Sequence, residues 1–463
     1  MGKQPSVSNI SQQTGFQLQP KQAWAAILGL VLFTTVGIVA GAGKILNFLC
    51  PMGALAVGAL LYFRYPVLYV SFSWWLWFLS PLIRRLADFR SSYTESSPML
   101  LAPYLVAGLT VITLWKHLST AHRQGGLPFV LSFLGVIYGL LIGLVTSKPV
   151  ALAEPFLAWL IPVTFGFHLF MNWREYPSYR QNIQRTFLWG VLIMGIYGIV
   201  QFVSLPEWDR LWLDNSGLAS AGTSENGEVR VWSTMNSGEP FAAYMAGGLL
   251  LLFSCQSPLL LPASVSGFLS FFLSTVRSAW LGWFAGAIAL AAFLKQSLQI
   301  RLIAVVAIIA LCVIPLTTME PFSEKISNRI ESLSNIEEDR SATVRRDMYD
   351  SLLGVALSKF VGDGLGNGVG DSGFLSMFFQ IGWFGVIFYM GGMILLVLRL
   401  FQGSEGSFDL FAAAARAIVV SCLVRLPVNG VIGGGSGVLL WGFIGIGIAA
   451  NKYYKHQRLA NRS

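Results

Sequence analysis

Charge is scarce in this chain. Only 11% of its 463 residues are Asp, Glu, Lys or Arg, against roughly 25% in an ordinary soluble domain. Hydrophobic residues make up 54% and arrive in long runs, which excludes a water-soluble globule. Histidine is scarcer still. His117, His122, His168 and His456 all fall outside the two longest polar stretches, 205–237 and 319–372. A His-based nucleophilic triad or a His-rich metal site in those stretches is therefore excluded. Cys50, Cys255, Cys312 and Cys422 sit inside or at the edge of apolar runs without a Cys-x-x-Cys pair, so they read as small hydrophobes. Residues Met1 to Lys21 are polar, with no apolar core followed by a small-residue cleavage site. No signal peptide is expected, and this segment reads as a short cytoplasmic tail. The glycine run Gly362–Gly370 lacks a Gly-Lys-Ser/Thr ending, which excludes a nucleotide loop. A flexible turn is expected there instead.

What remains is a series of apolar segments. A spanning helix needs about 20 apolar residues. Segments that meet this length fall at 23–42, 45–63, 66–82, 98–115, 128–146, 153–171, 186–204, 238–255, 258–276, 278–294, 301–318, 373–399, 409–427 and 431–450. The expected fold is all-α: a polytopic membrane helix bundle of about 12–14 transmembrane helices. Two pairs, 45–63/66–82 and 258–276/278–294, are so close that each is a tight hairpin or one broken helix.

The net charge of +9 does not indicate nucleic acid, because the charges sit at segment ends, as membrane topology requires. With the N-terminus inside, the short connections carry fifteen Lys and Arg inside against seven outside, so both termini are expected in the cytoplasm. The chain then divides into N-terminal membrane helices (1–204), a first outer loop (205–237), central membrane helices (238–318), a large and mostly helical outer loop (319–372), and C-terminal membrane helices with a cytoplasmic tail (373–463). Within the large loop, Phe322, Ile326, Ile330 and Leu333 recur at helical spacing. A second helix is expected from about Ser341 to Lys359, stopped by the glycine run.

Arginines on the outer side break the charge rule and so mark candidate chemistry. A charge in hydrocarbon costs about 2.5–3.5 kcal/mol on insertion scales. Arg277 is wedged between two apolar runs in Ser274-Thr275-Val276-Arg277-Ser278. Its planar fork suits an anion clamp for phosphate at the interface; the plain alternative is a snorkelling charge. Arg84, Arg85 and Arg90 crowd one short outer loop beside Asp88, as a phosphate site or a lipid-headgroup anchor. Arg345 and Arg346 begin the expected loop helix and serve either an anion or surface ion pairs. Arg230 stands in the first outer loop, Arg425 near the outer end of its segment, and Arg416 within an apolar run that must supply it a partner. Asn236 and Glu239 open one segment and Asp371 another. Each acid can orient a hydroxyl, act as a base, or cap a helix start.

Three stretches carry a family resemblance. Val231-Trp232-Ser233-Thr234-Met235-Asn236-Ser237-Gly238-Glu239-Pro240-Phe241-Ala242 resembles the stretch that opens the helix after an outer loop in the O-antigen ligase and polysaccharide polymerase superfamily. Ser274-Thr275-Val276-Arg277-Ser278 resembles its Ser-Arg motif at a helix junction. Arg345-Arg346-Asp347-Met348-Tyr349, the glycine run, Asp371-Ser372-Gly373-Phe374-Leu375 and Gly382-Trp383-Phe384-Gly385 resemble its signature in the large outer loop and the helix after it. The likeness covers about residues 185–400, and Pro81–Arg90 is similar to cyanobacterial members.

The resemblance implies an inverting, metal-independent glycosyltransferase of the GT-C type, with no cofactor. Its donor is an undecaprenyl-diphosphate-linked oligosaccharide, held within membrane lipid, and the product serves exopolysaccharide or O-antigen synthesis. A chain-length regulator or a flippase is the implied protein partner. Arg277, Arg345, Arg346 and Asp371 are the implied catalytic residues. Arg230, Arg84, Arg85, Arg90, Asn236, Glu239 and Arg425 are the implied substrate contacts. The ligases carry a His where this chain has Asp371-Ser372, which leans the reading toward a polymerase. Two readings compete. A transporter would need inverted repeats and matching broken segments, and no such repeat is visible. A cell-wall scaffold resembling peptidoglycan glycosyltransferases would need an Asp in the large loop, and Asp371 keeps that reading open.

Overall fold

The structure, a computed structural model, describes residues 21–293, 299–300, 340–369, 372–402 and 409–461. Apart from one antiparallel bridge between Gly222 and Val229, its regular structure is helical. The first half comprises α1 (Lys21–Val39), α2 (Gly43–Arg64), α3 (Pro66–Arg90), α4 (Ala102–Gly108), α5 (Thr110–His117), α6 (Leu127–Thr146), α7 (Pro149–Met171) and α8 (Tyr176–Ser204). The second half comprises α9 (Glu207–Ser216), α10 (Gly238–Leu252), α11 (Leu260–Leu273), α12 (Arg277–Phe293), α13 (Arg340–Ser358), α14 (Gly373–Gln402), α15 (Leu410–Arg425) and α16 (Gly434–Ala460). Among the described residues, nine helical stretches are long and apolar enough to cross a membrane. The protein is an all-α, multi-pass membrane bundle.

Every expected apolar segment falls on a helix except 301–318. That segment, and the helix expected over Phe322–Leu333, lie outside the described residues. Both tight pairs are two helices each: Tyr65 separates α2 from α3, and residues 274–276 separate α11 from α12. The connection 205–237 holds α9, which the sequence pattern does not announce.

The interior is aromatic. Trp74 of α3 packs edge-on against Phe165, Phe187 and Tyr244 from three other helices. The middle of α16, Ser436–Ala450, is buried throughout and threads the centre of the bundle. Small residues bring helices close, as membrane packing favours. A Cβ added at Gly139 of α6 would stand 2.5 Å from the Ile381 side chain of α14, whereas one at Gly391 of α14 would meet nothing. Gly139→Ala is therefore expected to cost about 1–3 kcal/mol through overpacking, and Gly391→Ala to be neutral. Thermal unfolding of the two variants in detergent checks the contrast.

The glycine run differs from the flexible turn expected. Helix α14 is broken at Gly382, which adopts φ 57° and ψ −176°. A broken helix inside a membrane must find new partners for its backbone groups, and the start of the glycine run, with Lys359 just before it, supplies them. Asp363 N donates to Phe379 O at 2.7 Å, Gly364 N donates to Gln380 O at 3.0 Å, and Trp383 N donates to Lys359 O at 3.1 Å. Gly362, Gly364 and Gly366 all take positive φ to make this fit. The run is thus a pinned turn wedged between α6 and the kink of α14.

Candidate functional site

Three of the apolar helices are short: α10 has 15 residues, α11 has 14 and α15 has 16. At 1.5 Å per residue they fall short of roughly 30 Å of hydrocarbon. One end of each converges on a single cleft of about 500 Å³, lined by Arg230, Ser237, Glu239, Thr275, Arg277, Arg345, Ser376 and Asn429 among others. Three helices begin here: α10 at Gly238, α12 at Arg277 and α14 at Gly373. Their N-terminal amides add partial positive charge to that of the arginines.

The wall formed by residues 231–237 is held by buried side chains. Gln201 of α8 accepts from Trp232 N at 3.0 Å and Ser233 N at 2.7 Å through Oε1. Arg85 of α3 donates to Ser233 O at 2.6 Å and Met235 O at 2.7 Å. Its Nε stands 3.0 Å from the Asp209 carboxylate of α9, and both side chains are fully buried. Burial pushes the Asp209 carboxyl above the usual range, and the Arg85 charge opposes that shift. Thr234 donates to Phe78 O at 2.5 Å. The chain emerges from this grip at Ser237, which is extended (φ −157°) and leaves α10 without a side-chain cap.

The break between α11 and α12 forms a second wall. Thr275 has φ 53°, an outlier for a β-branched residue that costs of order 1–3 kcal/mol. Val231 N donates to Leu273 O at 3.2 Å, tying the two walls together. Thr275 Oγ1 and Asn429 Oδ1 are buried at the cleft without a hydrogen bond among the described residues.

Helix α13 brings the last arginine. One turn after Arg345, Tyr349 donates to Pro427 O at 2.6 Å and shares a 2.8 Å hydrogen bond with Ser372 Oγ. These bonds dock α13 beside the starts of α14 and the loop after α15. Glu239 lies 2.5 Å from Arg425 Nη2, and that arginine is almost wholly buried while the acid is 29% exposed.

The sequence-derived candidates thus separate. Arg230, Glu239, Arg277 and Arg345 line one cleft, and Arg425 reaches it through Glu239. Asn236 directly precedes this wall, with its Oδ1 buried and without a hydrogen bond among the described residues. Arg346 points elsewhere: it is 81% exposed and 4.0 Å from Asp350. Arg84 pairs with Asp88 at 3.1 Å and with the carbonyls of Thr94 and Glu95. Arg90 donates to Val39 O at 3.2 Å. Arg84, Arg85 and Arg90 serve the packing around α3 and none lines the cleft. Asp371 lies outside the described residues. Arg416 finds its partners in Leu400 O at 3.0 Å and Asn451 Oδ1 at 2.8 Å. The sequence reading does not single out Gln201, Asp209 or Asn429, while Tyr349 enters it only within the Arg345–Tyr349 stretch of the family resemblance. Of those three, Gln201 carries a signal, as an amide inside the apolar run Gly198-Ile199-Val200-Gln201-Phe202-Val203.

Fold and site together define a multi-pass helical membrane protein with an arginine-lined, carboxylate-bearing cleft at one end of its bundle. No family model and no curated protein matches the chain.

Proposed function

We propose that this protein is a glycosyltransferase that polymerises lipid-diphosphate-linked glycan repeats at the outer face of the inner membrane. The observation that carries this reading is the meeting of Arg230, Arg277 and Arg345, from three separate segments, in one cleft with Glu239. A lipid diphosphate needs cations at the depth of its phosphates, and three arginines with helix N-termini supply them. In the reaction, an acceptor hydroxyl attacks the anomeric carbon of the donor. The bond from that carbon to the diphosphate oxygen breaks, and the electron pair leaves on the diphosphate, where the arginines stabilise the growing charge. The configuration at the carbon inverts. Among the described residues Glu239 is the carboxylate lining the cleft, so it takes the acceptor's proton in this reading. Arg425 fixes the orientation of that carboxylate from behind. The strained Thr275 backbone sets Arg277 at the start of α12. An undecaprenyl-type donor matches the family resemblance, and the missing His favours polymerisation over ligation.

The purified full-length protein in lipid vesicles, given lipid-diphosphate-linked repeats, is expected to yield a ladder of longer glycans and free lipid diphosphate. A single addition to a different lipid acceptor would make it a ligase. Uptake of labelled solute without any glycan product would make it a transporter and sink the proposal. Glu239→Gln retains an oxygen for Arg425 and removes the basic site. It is expected to slow transfer by about 10²-fold, within the usual range for a general base. An unchanged rate would remove Glu239 from the chemistry.

A further inference from the structure

The same short helices lead to a second cleft. α10 and α15 each have one end at the arginine cleft and the other near Ser254 or Leu410, and α11 runs from beside Leu259 to Ser274. At 1.5 Å per residue these helices set the two clefts roughly 20–25 Å apart along the bundle, toward opposite membrane faces. The second cleft measures about 710 Å³. Nothing in the proposed transfer reaction uses it.

Its composition changes with depth. At its mouth stand Arg180, Gln181, Gln184 and Arg185 of α8, opposite Ser254 and Ser257. One turn deeper, at the start of the apolar stretch of α8, the lining becomes Leu188 and Trp189. Trp189 is 47% exposed on the bundle surface, where an indole marks the boundary between headgroups and hydrocarbon. Gln184 donates to Ser254 O at 2.6 Å and Ser254 Oγ at 3.0 Å, tying α8 to the end of α10.

The charge balance favours an anion. Asp409 is the carboxylate lining this cleft among the described residues, and it is consumed internally. It accepts from Tyr176, Tyr454 and Arg180 through Oδ2, and from Phe411 N through Oδ1. Arg185 is exposed and makes no ion pair among the described residues. A polar, cationic mouth above an apolar slot matches a lipid rather than a soluble ion.

We propose that this cleft binds the phosphate-bearing headgroup of an anionic membrane lipid. Arg180 and Arg185 contact the phosphate, Gln181 and Ser257 meet the headgroup hydroxyls, and an acyl chain lies along Leu188 and Trp189. This proposal stands apart from the glycan chemistry at the other cleft and survives its failure.

The test uses the full-length protein in detergent, titrated with phosphatidylglycerol, phosphatidylcholine or inorganic phosphate, and read by native mass spectrometry and thermal shift. Phosphatidylglycerol is expected to stay bound and raise the melting temperature, with the other two showing little effect. Arg185→Gln should weaken that binding roughly five- to tenfold, as loss of one interfacial cation predicts. Gln181→Glu, which sets a carboxylate at the same exposed mouth, should weaken it further. Arg174→Gln, an exposed cation outside the cleft, should leave it unchanged. Equal weakening by Arg174→Gln would mean diffuse attraction and overturn the proposal. So would equal stabilisation by inorganic phosphate, which would mean a soluble anion, or by phosphatidylcholine.

Discussion

Arg277→Ala is expected to lower glycan transfer by about 10²–10³-fold, the usual cost of removing one group that stabilises charge in a transition state. Protein abundance in the membrane should stay near normal. Arg277 opens α12 at the rim of the cleft and is only half-buried, so its loss leaves no sealed cavity behind. Arg277→Lys separates two roles. If Arg277 only supplies charge, lysine restores most of the rate. If it grips the diphosphate through its planar fork, lysine recovers little, because an ammonium is a point charge without paired donors. The fork reading is favoured by the setting, since a strained Thr275 backbone places this side chain beside two helix N-termini. The measurement is a single-turnover transfer assay with a lipid-diphosphate-linked repeat, with insertion checked by quantifying the membrane-embedded protein. A full rate with alanine would remove Arg277 from the proposed chemistry. A residual ladder of normal length in cells carrying the variant would do the same.

The bundle was legible in the sequence because the membrane imposes a simple ruler. Each long apolar run had to become a helix, since irregular backbone has no partners in lipid. Arg277 was legible for the same reason: a cation between two apolar runs is costly and so stands out. That signal says a charge has a job without saying which one. Arg85 looked similar from the sequence, yet its job is to hold a loop from inside. Its partner Asp209 lies in a helix far along the chain, and no local pattern links them. Arg345 and Arg346 were inseparable in sequence, but a helix turns about 100° per residue, so only one of them can face the cleft. The Glu239–Arg425 pair was hidden because each residue alone had an ordinary explanation, a helix start and a snorkelling end. The glycine run looks loose in sequence because glycine permits both loose and forced turns. Only the break at Gly382 distinguishes them, through the backbone groups it releases.

Arg85→Met is expected to be the most damaging single change to stability, at about 3–5 kcal/mol, because it strands the buried Asp209 carboxylate without its countercharge. Burial already raises the proton affinity of Asp209 with Arg85 present, so the single variant should bind a proton there more readily and recover somewhat as pH falls. Asp209→Leu alone strands the guanidinium and should be comparably harmful. The double variant Arg85→Met/Asp209→Leu removes both charges and should regain most of the stability, since a buried pair is often replaceable by apolar groups of similar size. Activity should follow a different course. Arg85 also donates to Ser233 O and Met235 O, and these bonds hold the segment that delivers Glu239 to the cleft. The double variant should therefore be stable but slow, with transfer still reduced by about tenfold or more, as loosened positioning of a catalytic group predicts. Thermal unfolding and transfer assays on the four proteins, wild type, two singles and the double, complete the cycle. A double variant that regains both stability and full rate would reduce Arg85 to a structural ion pair. One that regains neither would show that the carbonyl contacts, rather than the charge balance, dominate its contribution to the fold.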